Sequence, residues 1–324
     1  MKSISVVIPN YNGKILLEHN LPFVYLALES SGITDYEIII PDDGSTDNSV
    51  EFIRTHYPDI IVLEHRTNRG FAGNSNSGIF RSDKELVFLL NSDVELTEFY
   101  FLPLMKYFDK PDTFGVMSRI IALHSDTVQD AAKYPEYSFG NIISTINYQS
   151  TTQTTLYTLF LSGANSLIAR EKLIELGGFD ELFNPYYSED VDLGLRAWRL
   201  GYKCYYDNDA ICRHPNSATI SKEQPNKVKI ISKRNKMYLH FIHLNNSELC
   251  YFLAVLLIKS FLRLLLLDFN YVQSFYMFIT TIKQCSQSKN KLAVLQKMKH
   301  QTLRLRNVYS IIEQSARTSS ITKF

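Results

Sequence analysis

Short apolar runs recur through the first ninety residues: ISVVIP (4–9), YEIIIP (36–41), IIVLE (60–64) and LVFLL (86–90). Each has the length of a strand and most are rich in β-branched residues. Their apolar character is continuous rather than alternating, as expected of strands covered on both faces in a parallel sheet. Residues 14–30, 47–56 and 71–82 carry helical patterns between them. That alternation predicts a doubly wound, Rossmann-like α/β sheet, mostly parallel, with helices on both faces. Ligands of such sheets lie beyond the carboxyl ends of the strands. Four polar loops are gathered there: NYNG (10–13), DDGSTD (42–47), HRTNRGFAGNSNSG (65–78) and NSD (91–93).

Farther along, SLIA (166–169) reads as a strand, and REKLIELGGFDE (170–181) as a short helix stopped by Gly177-Gly178. SEDVDLGLRAWRLG (188–201) is a well-marked helix. Ser188 suits its N-cap, Glu189 and Asp190 its first turn, and Gly201 its end. Val191, Leu195 and Trp198 share one face, with Trp198 reading as core. Residues 119–160 have no clear period, and STINYQSTTQTTLYT (144–158) reads as a variable loop or an edge hairpin.

The pattern changes near residue 225. LCYFLAVLLIKSFLRLLLL (249–267) has the length of a membrane span, but Lys259 and Arg263 sit four apart near its middle. Each would cost roughly 2.5–3.5 kcal/mol at a bilayer centre. A helix lying in the membrane interface suits them better. FNYVQSFYMFITTI (269–282) is again amphipathic. The expected organisation is therefore an α/β domain over 1–220 and a helical, basic, amphipathic region over 221–324 that associates with a membrane.

Charge sharpens this division. Residues 1–212 carry 16 Lys/Arg against 29 Asp/Glu, whereas residues 213–324 carry 18 against 4. A basic, leucine-rich half without the aromatic interleaving of a base-stacking platform points to an anionic membrane surface and away from nucleic acid. The cysteines at 204, 212, 250 and 285 form no C-x-x-C pair, which fits a reducing compartment. MKSISVVIPN runs directly into a strand, so no signal peptide is expected. The expected location is cytoplasmic, peripheral on the inner face of the membrane, and a homo-oligomer is left open.

The acidic half holds Asp42, Asp43, Asp47 and Asp93 at one sheet edge, and Glu189, Asp190 and Asp192 farther on. Such a cleft repels a phosphate ligand unless a divalent cation lies between them. Mg²⁺ and Mn²⁺ take oxygen ligands, often one or two carboxylates completed by water and phosphate oxygens. Asp47 reads as shaping its turn or capping the next helix. Glu189 and Asp190 would also suit a helix N-terminus through its dipole. Asp192 reads as a solvated or supporting acid.

These segments together resemble glycosyltransferase family 2, with the GT-A fold, in its bacterial surface-polysaccharide branch. SVVIPNYNG is similar to the family's opening strand and loop, EIIIPDDGSTDNS to its second strand and Asp-rich turn, and NRGFAGNSNSGI to its donor loop and helix. FLLNSDVEL stands at its D-x-D position, and GGFDELFNPYYSEDVDLGLRAWRLGYK resembles the acceptor-side motif with its ED pair. The five segments run in order from residue 3 to about 217. The resemblance implies inverting transfer of a hexosyl or deoxyhexosyl group from a UDP- or dTDP-sugar to an acceptor hydroxyl, on a lipid-linked saccharide, in cell-surface polysaccharide synthesis. It places Pro9, Tyr11, Asp42, Asp43, Gly70, Asn76 and Asn91 at the nucleotide sugar. Asp93 and His214 become ligands of Mn²⁺ or Mg²⁺, and Asp190 the general base beside Glu189. The first acid of D-x-D is Asn91 here, which argues against bidentate metal binding by this loop.

The chemistry is coherent without the name. Inversion needs one carboxylate to deprotonate the attacking hydroxyl, and a metal at the departing diphosphate replaces a glycosidase's acid. Two other classes fit less well. A sugar-phosphate nucleotidyltransferase expects a glycine-rich basic loop after the first strand, but PNYNG has one glycine and no basic residue before Lys14. A non-catalytic membrane-bound scaffold of the same fold would have no need of Asp93 and Asp190.

Overall fold

The computed structural model describes residues 1–138, 141–152, 155–215, 224–317 and 319–324. The first half runs β1 (Ile4–Val7), α1 (Lys14–Ser30), β2 (Tyr36–Asp42), α2 (Ser49–His56), β3 (Ile61–Glu64), α3 (Gly70–Arg81) and β4 (Leu86–Leu90). β5 (Glu95–Leu96), α4 (Leu102–Met105), β6 (Thr113–Ala122), β7 (Val128–Asp130), β8 (Ala132–Ser138), β9 (Asn141–Ser150) and β10 (Thr155–Tyr157) follow. Next come β11 (Asn165–Ala169), α5 (Arg170–Glu175), α6 (Glu189–Arg199) and β12 (Lys203–His214). The chain closes with α7 (Pro225–His243), α8 (Asn246–Leu265), α9 (Phe269–Thr280), α10 (Ile282–Met298), α11 (Leu305–Arg317) and β13 (Ile321–Lys323).

The main sheet has the order β10-β12-β6-β11-β4-β1-β2-β3. It is parallel across β4-β1-β2-β3 and again between β6 and β12, while β11 lies antiparallel to both β4 and β6. The continuous apolar runs have the expected cause, because alternate residues of one strand enter two different cores. Ile4 and Val6 of β1, with Leu86, Phe88 and Leu90 of β4, pack with Leu17 and Leu21 of α1 on one face. Val7, Val87 and Leu89 pack with Ala72 and Ile79 of α3 on the other.

Of the residues without a clear period, β8 and β9 form a second sheet with β13, whereas β7 and β10 join the main sheet. STINYQSTTQTTLYT thus supplies strand β9 and the edge strand β10, apart from 153–154, which lie outside the described residues. The expected boundary at 220 lies outside them too. On either side of it the chain shares one core: Met237, Tyr238, Val308, Tyr309 and Ile312 join the cluster that contains Val7, Phe114 and Trp198. β13 returns from the far end of the chain to pair with β9.

α8 opens with a capping box, Asn245 accepting from Glu248 N while the Glu248 side chain accepts from Asn245 N. Phe252 and Leu256 enter the core, but Leu257, Ile258, Phe261, Leu262 and every residue from Leu264 to Leu267 remain exposed. Arg263 lies within this apolar surface and pairs with Asp268 at 3.2 Å. Among the described residues, no helix is long and apolar enough to cross a membrane.

α6 reaches its place because it carries a glycine where it crosses the 158–160 segment. A Cβ on Gly194 would stand 2.5 Å from Phe160 Cα and 2.9 Å from Leu159 O. Alanine is favoured over glycine by about 1 kcal/mol in a helix, but forcing atoms into a packed core costs about 1–3 kcal/mol, and here backbone must move. Gly194→Ala should therefore lower the melting temperature, measured by circular dichroism, despite its better helix propensity.

Candidate functional site

The loops beyond β1 and β2 are stitched together before any ligand is considered. Asn10 Nδ2 donates to Asp42 Oδ2 (2.7 Å), and Ser45 N to Asp42 Oδ1 (2.8 Å). Thr46 N donates to Asn12 Oδ1 at 2.7 Å. Asp47 accepts from Lys14 N at 2.8 Å and Ser49 N at 3.1 Å, tying the starts of α1 and α2 together. It caps, as its position in the turn leads one to expect. A polar cavity of ≈ 430 Å³ opens beside these loops, lined by Asp42, Gly44, Ser45, Thr46, Glu64 and His65 among others. Asp93 and Asp190 are not in its walls. Pro9 is half-buried at the root of the first loop, and the Tyr11 ring is exposed on it.

Asp43 is committed to the third loop. Its two oxygens accept from Arg69 N (2.7 Å) and Gly70 N (3.0 Å). Burial pushes this carboxyl up, against the pull of the two amides. Gly70 has φ +73°, and a Cβ there would stand 2.7 Å from Asn184 Oδ1. This third loop therefore rests against the turn that precedes α6. Asn76 stands apart from these loop ends: its amide pairs with both backbone groups of Phe179, at 2.9 and 2.8 Å, and fastens α3 to the chain after Gly178.

The NSD segment is a turn that presents a carboxylate. Val94 N donates to Asn91 O (3.2 Å), Asn91 N to Ala164 O (3.1 Å), and Asn20 of α1 reaches Ser92 O at 2.8 Å. Asp93 is buried, and its Oδ2 lies 3.3 Å from His214 Nε2 at the end of β12. Two residues 121 positions apart in sequence are thus adjacent. The other face of the ring meets Gln129 Oε1, 3.2 Å from Nδ1. The tautomer protonated on Nδ1 satisfies Gln129 and turns the Nε2 lone pair toward Asp93, the arrangement metal-ligating histidines adopt. Asp93 Oδ1 is buried without a hydrogen-bond partner. A buried acceptor left unpaired beside a second lone pair fits a cation. Among the described residues no cluster of three or more His, Cys, Asp or Glu side chains is arranged to hold a metal, so water and ligand oxygens would complete its coordination.

Glu189 and Asp190 open α6. Ser188 stands at the N-cap position, but with φ +72° and without a capping hydrogen bond from its side chain. The sequence-based expectation of a serine cap fails because the preceding turn requires left-handed backbone there. Asp190 accepts from Val191 N at 2.8 Å and is half-buried, while Glu189 is buried with Oε2 unpartnered. Burial pushes both carboxyls above the usual range, and Asp190 raises Glu189 further. Lys133 and Asp130 act on Asp190 in opposite senses, and Lys133 is itself paired with Asp130. Asp192 is not solvated. It is buried between Arg196 Nε (2.7 Å) and His243 Nε2 (2.9 Å), which hold its carboxyl below the usual range despite burial.

The sheet thus gathers carboxylates and a histidine at its strand ends. Residues 5–177 match the profile described as "Glycosyl transferase family 2", and the chain belongs to that family. It is 27% identical over 182 residues to the pre-mycofactocin glycosyltransferase of Mycobacterium tuberculosis, covering 55% of this chain and 37% of that one. It is 23% identical over 222 residues to the O-antigen chain rhamnosyltransferase RfbN of Salmonella typhimurium, covering 68% of each. The fold matches the crystal structure of GalNAc-T7 with UDP, GalNAc and Mn²⁺ at a TM-score of 0.67 and 14% identity, over 98% of this chain and 58% of that one. The chain thus spans little more than a third of the mycobacterial relative.

Gln129, Asp130 and Lys133 escaped sequence reading because β7 and β8 carry no period or motif. The raised Glu189 carboxyl has a consequence for stability. Folded Glu189 holds its proton more tightly than the unfolded chain does, so its contribution is full below the ordinary carboxylate range and is lost as pH rises through the raised native value. Glu189→Gln should melt a few degrees above wild type near pH 8–9, with the difference closing toward about pH 5, in calorimetric scans across that range.

Proposed function

We propose that this chain transfers a sugar, with inversion, from a UDP- or dTDP-sugar to a hydroxyl of a lipid-linked saccharide in the assembly of a surface polysaccharide. The observation that carries the reading is the Asp93–His214 contact with Asp93 Oδ1 left unpaired. Asp93 and His214 are the residues that would hold Mn²⁺ or Mg²⁺. When bound, the cation supplies positive charge beside the departing diphosphate.

The cavity at Asp42 has the size and polarity for a nucleoside, with Tyr11 exposed at the adjoining loop. Asp43 acts there indirectly, by fixing the Arg69–Gly70 backbone, and Asn91 by shaping the turn under Asp93. Asp190 accepts the proton of the attacking hydroxyl. Its raised affinity for a proton improves it as a base near neutral pH. Glu189, the more strongly raised of the two, retains a proton at neutral pH and spares Asp190 a second adjacent charge. The bacterial O-antigen relative supports a saccharide acceptor, and a lipid-linked one would need the enzyme at a membrane. The exposed leucines of α8 and the basic C-terminal half suit an anionic lipid surface.

Two measurements test these readings. Calorimetric titration with UDP, dTDP, GDP and CMP in Mn²⁺ should give tight binding of UDP or dTDP. That binding should be lost on chelation and be roughly tenfold or more weaker in Asp93→Ala. Nucleotide binding indifferent to both would return the scaffold reading. In the second, wild type should co-sediment with vesicles containing phosphatidylglycerol and not with pure phosphatidylcholine. A variant carrying Leu265→Asp and Leu266→Asp should stay in the supernatant. Wild type that ignores both vesicles would overturn the membrane reading.

A further inference from the structure

The turn before α6 is built from two consecutive left-handed residues, Tyr187 at φ +75° and Ser188 at φ +72°. Neither is glycine, and a bulky side chain in this region is held there only by its surroundings. The backbone then passes directly into Glu189 and Asp190. Those surroundings come from α7, some fifty residues later. The Asn235 side chain is fully buried and donates through Nδ2 to three carbonyls of the turn: Phe183 O (2.6 Å), Tyr186 O (2.9 Å) and Tyr187 O (2.8 Å). Its Oδ1 accepts from Arg234 Nε at 3.0 Å and an Arg234 terminal nitrogen at 2.9 Å. The same arginine nitrogen reaches Asn184 O at 2.5 Å.

The other side of the turn faces the donor loop. Phe71 N donates to Pro185 O at 3.0 Å, and Asn184 Nδ2 to Arg69 O at 2.8 Å. One five-residue stretch, 183–187, is thus gripped by α7 from behind and by the loop that Asp43 organises in front. We propose that Asn235, supported by Arg234, is a positioning residue that holds the Tyr187–Ser188 turn in its left-handed form and so aims Asp190 at the acceptor. This rests on Asp190 being the base. Asn235 touches no reacting atom; it acts through the geometry of the turn.

The test uses full-length protein and, as probe, release of nucleoside diphosphate from sugar nucleotides with water as acceptor. The donor is the one wild type turns over fastest among UDP-glucose, UDP-galactose, UDP-GlcNAc and dTDP-rhamnose. Asn235→Ser removes the carboxamide's reach while keeping the site small and polar. Its kcat should fall roughly 10- to 100-fold, the range a misaimed catalytic group produces, with donor KM and calorimetric nucleotide affinity within about twofold of wild type. Ser188→Gly, added to Asn235→Ser, should recover most of that kcat, because glycine takes φ near +70° without a clamp. A merely structural asparagine would not be rescued from residue 188. Adding Asn235→Ser to Asp190→Asn should lower the residual rate no further, since the two act as one unit.

Unchanged kcat in Asn235→Ser, or an equal loss in the Asp190→Asn background, overturns the proposal. If Asn235→Ser fails to fold, Arg234→Gln carries the same three measurements, and two unfolded variants count against a positioning role. Wild-type turnover by Asp190→Asn overturns the base assignment itself, a result separable from any of these.

Discussion

A sheet buried on both faces can accommodate charge only at its strand ends. β1, β2 and β4 spend their apolar side chains on one core or the other, so most of the polar residues that follow them are delivered to a single edge. The crowding this causes is relieved by hydrogen bonding among the loops themselves. Asp42 accepts from the Asn10 side chain and from Ser45 N of its own loop, while Asp43 and Asp47 accept from backbone amides of other segments, which converts three like charges into three fasteners. Asp93 alone among these aspartates keeps a buried oxygen with nothing to accept from. The electrostatic need at this edge is thus local, one carboxylate and one imidazole.

Much of this could be read from the chain. The four strands, α1 and the NSD turn follow from local pattern and turn chemistry, and the ED helix from its acidic start and terminal glycine. Asp93 and His214 were paired by resemblance to a family, since nothing in their spacing joins them. What stayed hidden depends on contacts across long stretches of sequence. β8 and β9 carry Thr, Gln and Ser in no regular order, because one face meets other strands and helices rather than a single core. Asn235 lies in a basic helical run whose pattern suggests only an amphipathic surface; its burial comes from three carbonyls some fifty residues earlier. Ser188 shows the opposite failure, a residue with good cap chemistry placed where backbone geometry forbids its use.

The C-terminal third is therefore part of the structure that holds the strand-end loops and α6 as well as their companion. α7 secures the turn before Asp190, His243 supports Asp192 from the same helix, and α11 packs with the main core. The helix α8, with its exposed leucines, follows α7 directly in sequence, so that apolar surface lies two helices from Glu189 and Asp190.

β13 carries this integration to the end of the chain. Its residues Ile321, Thr322 and Lys323 cover Tyr148, Gln149 and Ser150, making β9 an interior strand of its small sheet. Shortening the protein by those few residues would uncover a row of unpaired amides and carbonyls on a strand that carries Ile143, Ile146 and Tyr148, which is the template for strand-to-strand self-association. A fragment cut back to the α/β half alone would add the exposed Trp198 core to that edge. For anyone preparing this protein, β13 therefore deserves the same protection as the exposed leucines of α8.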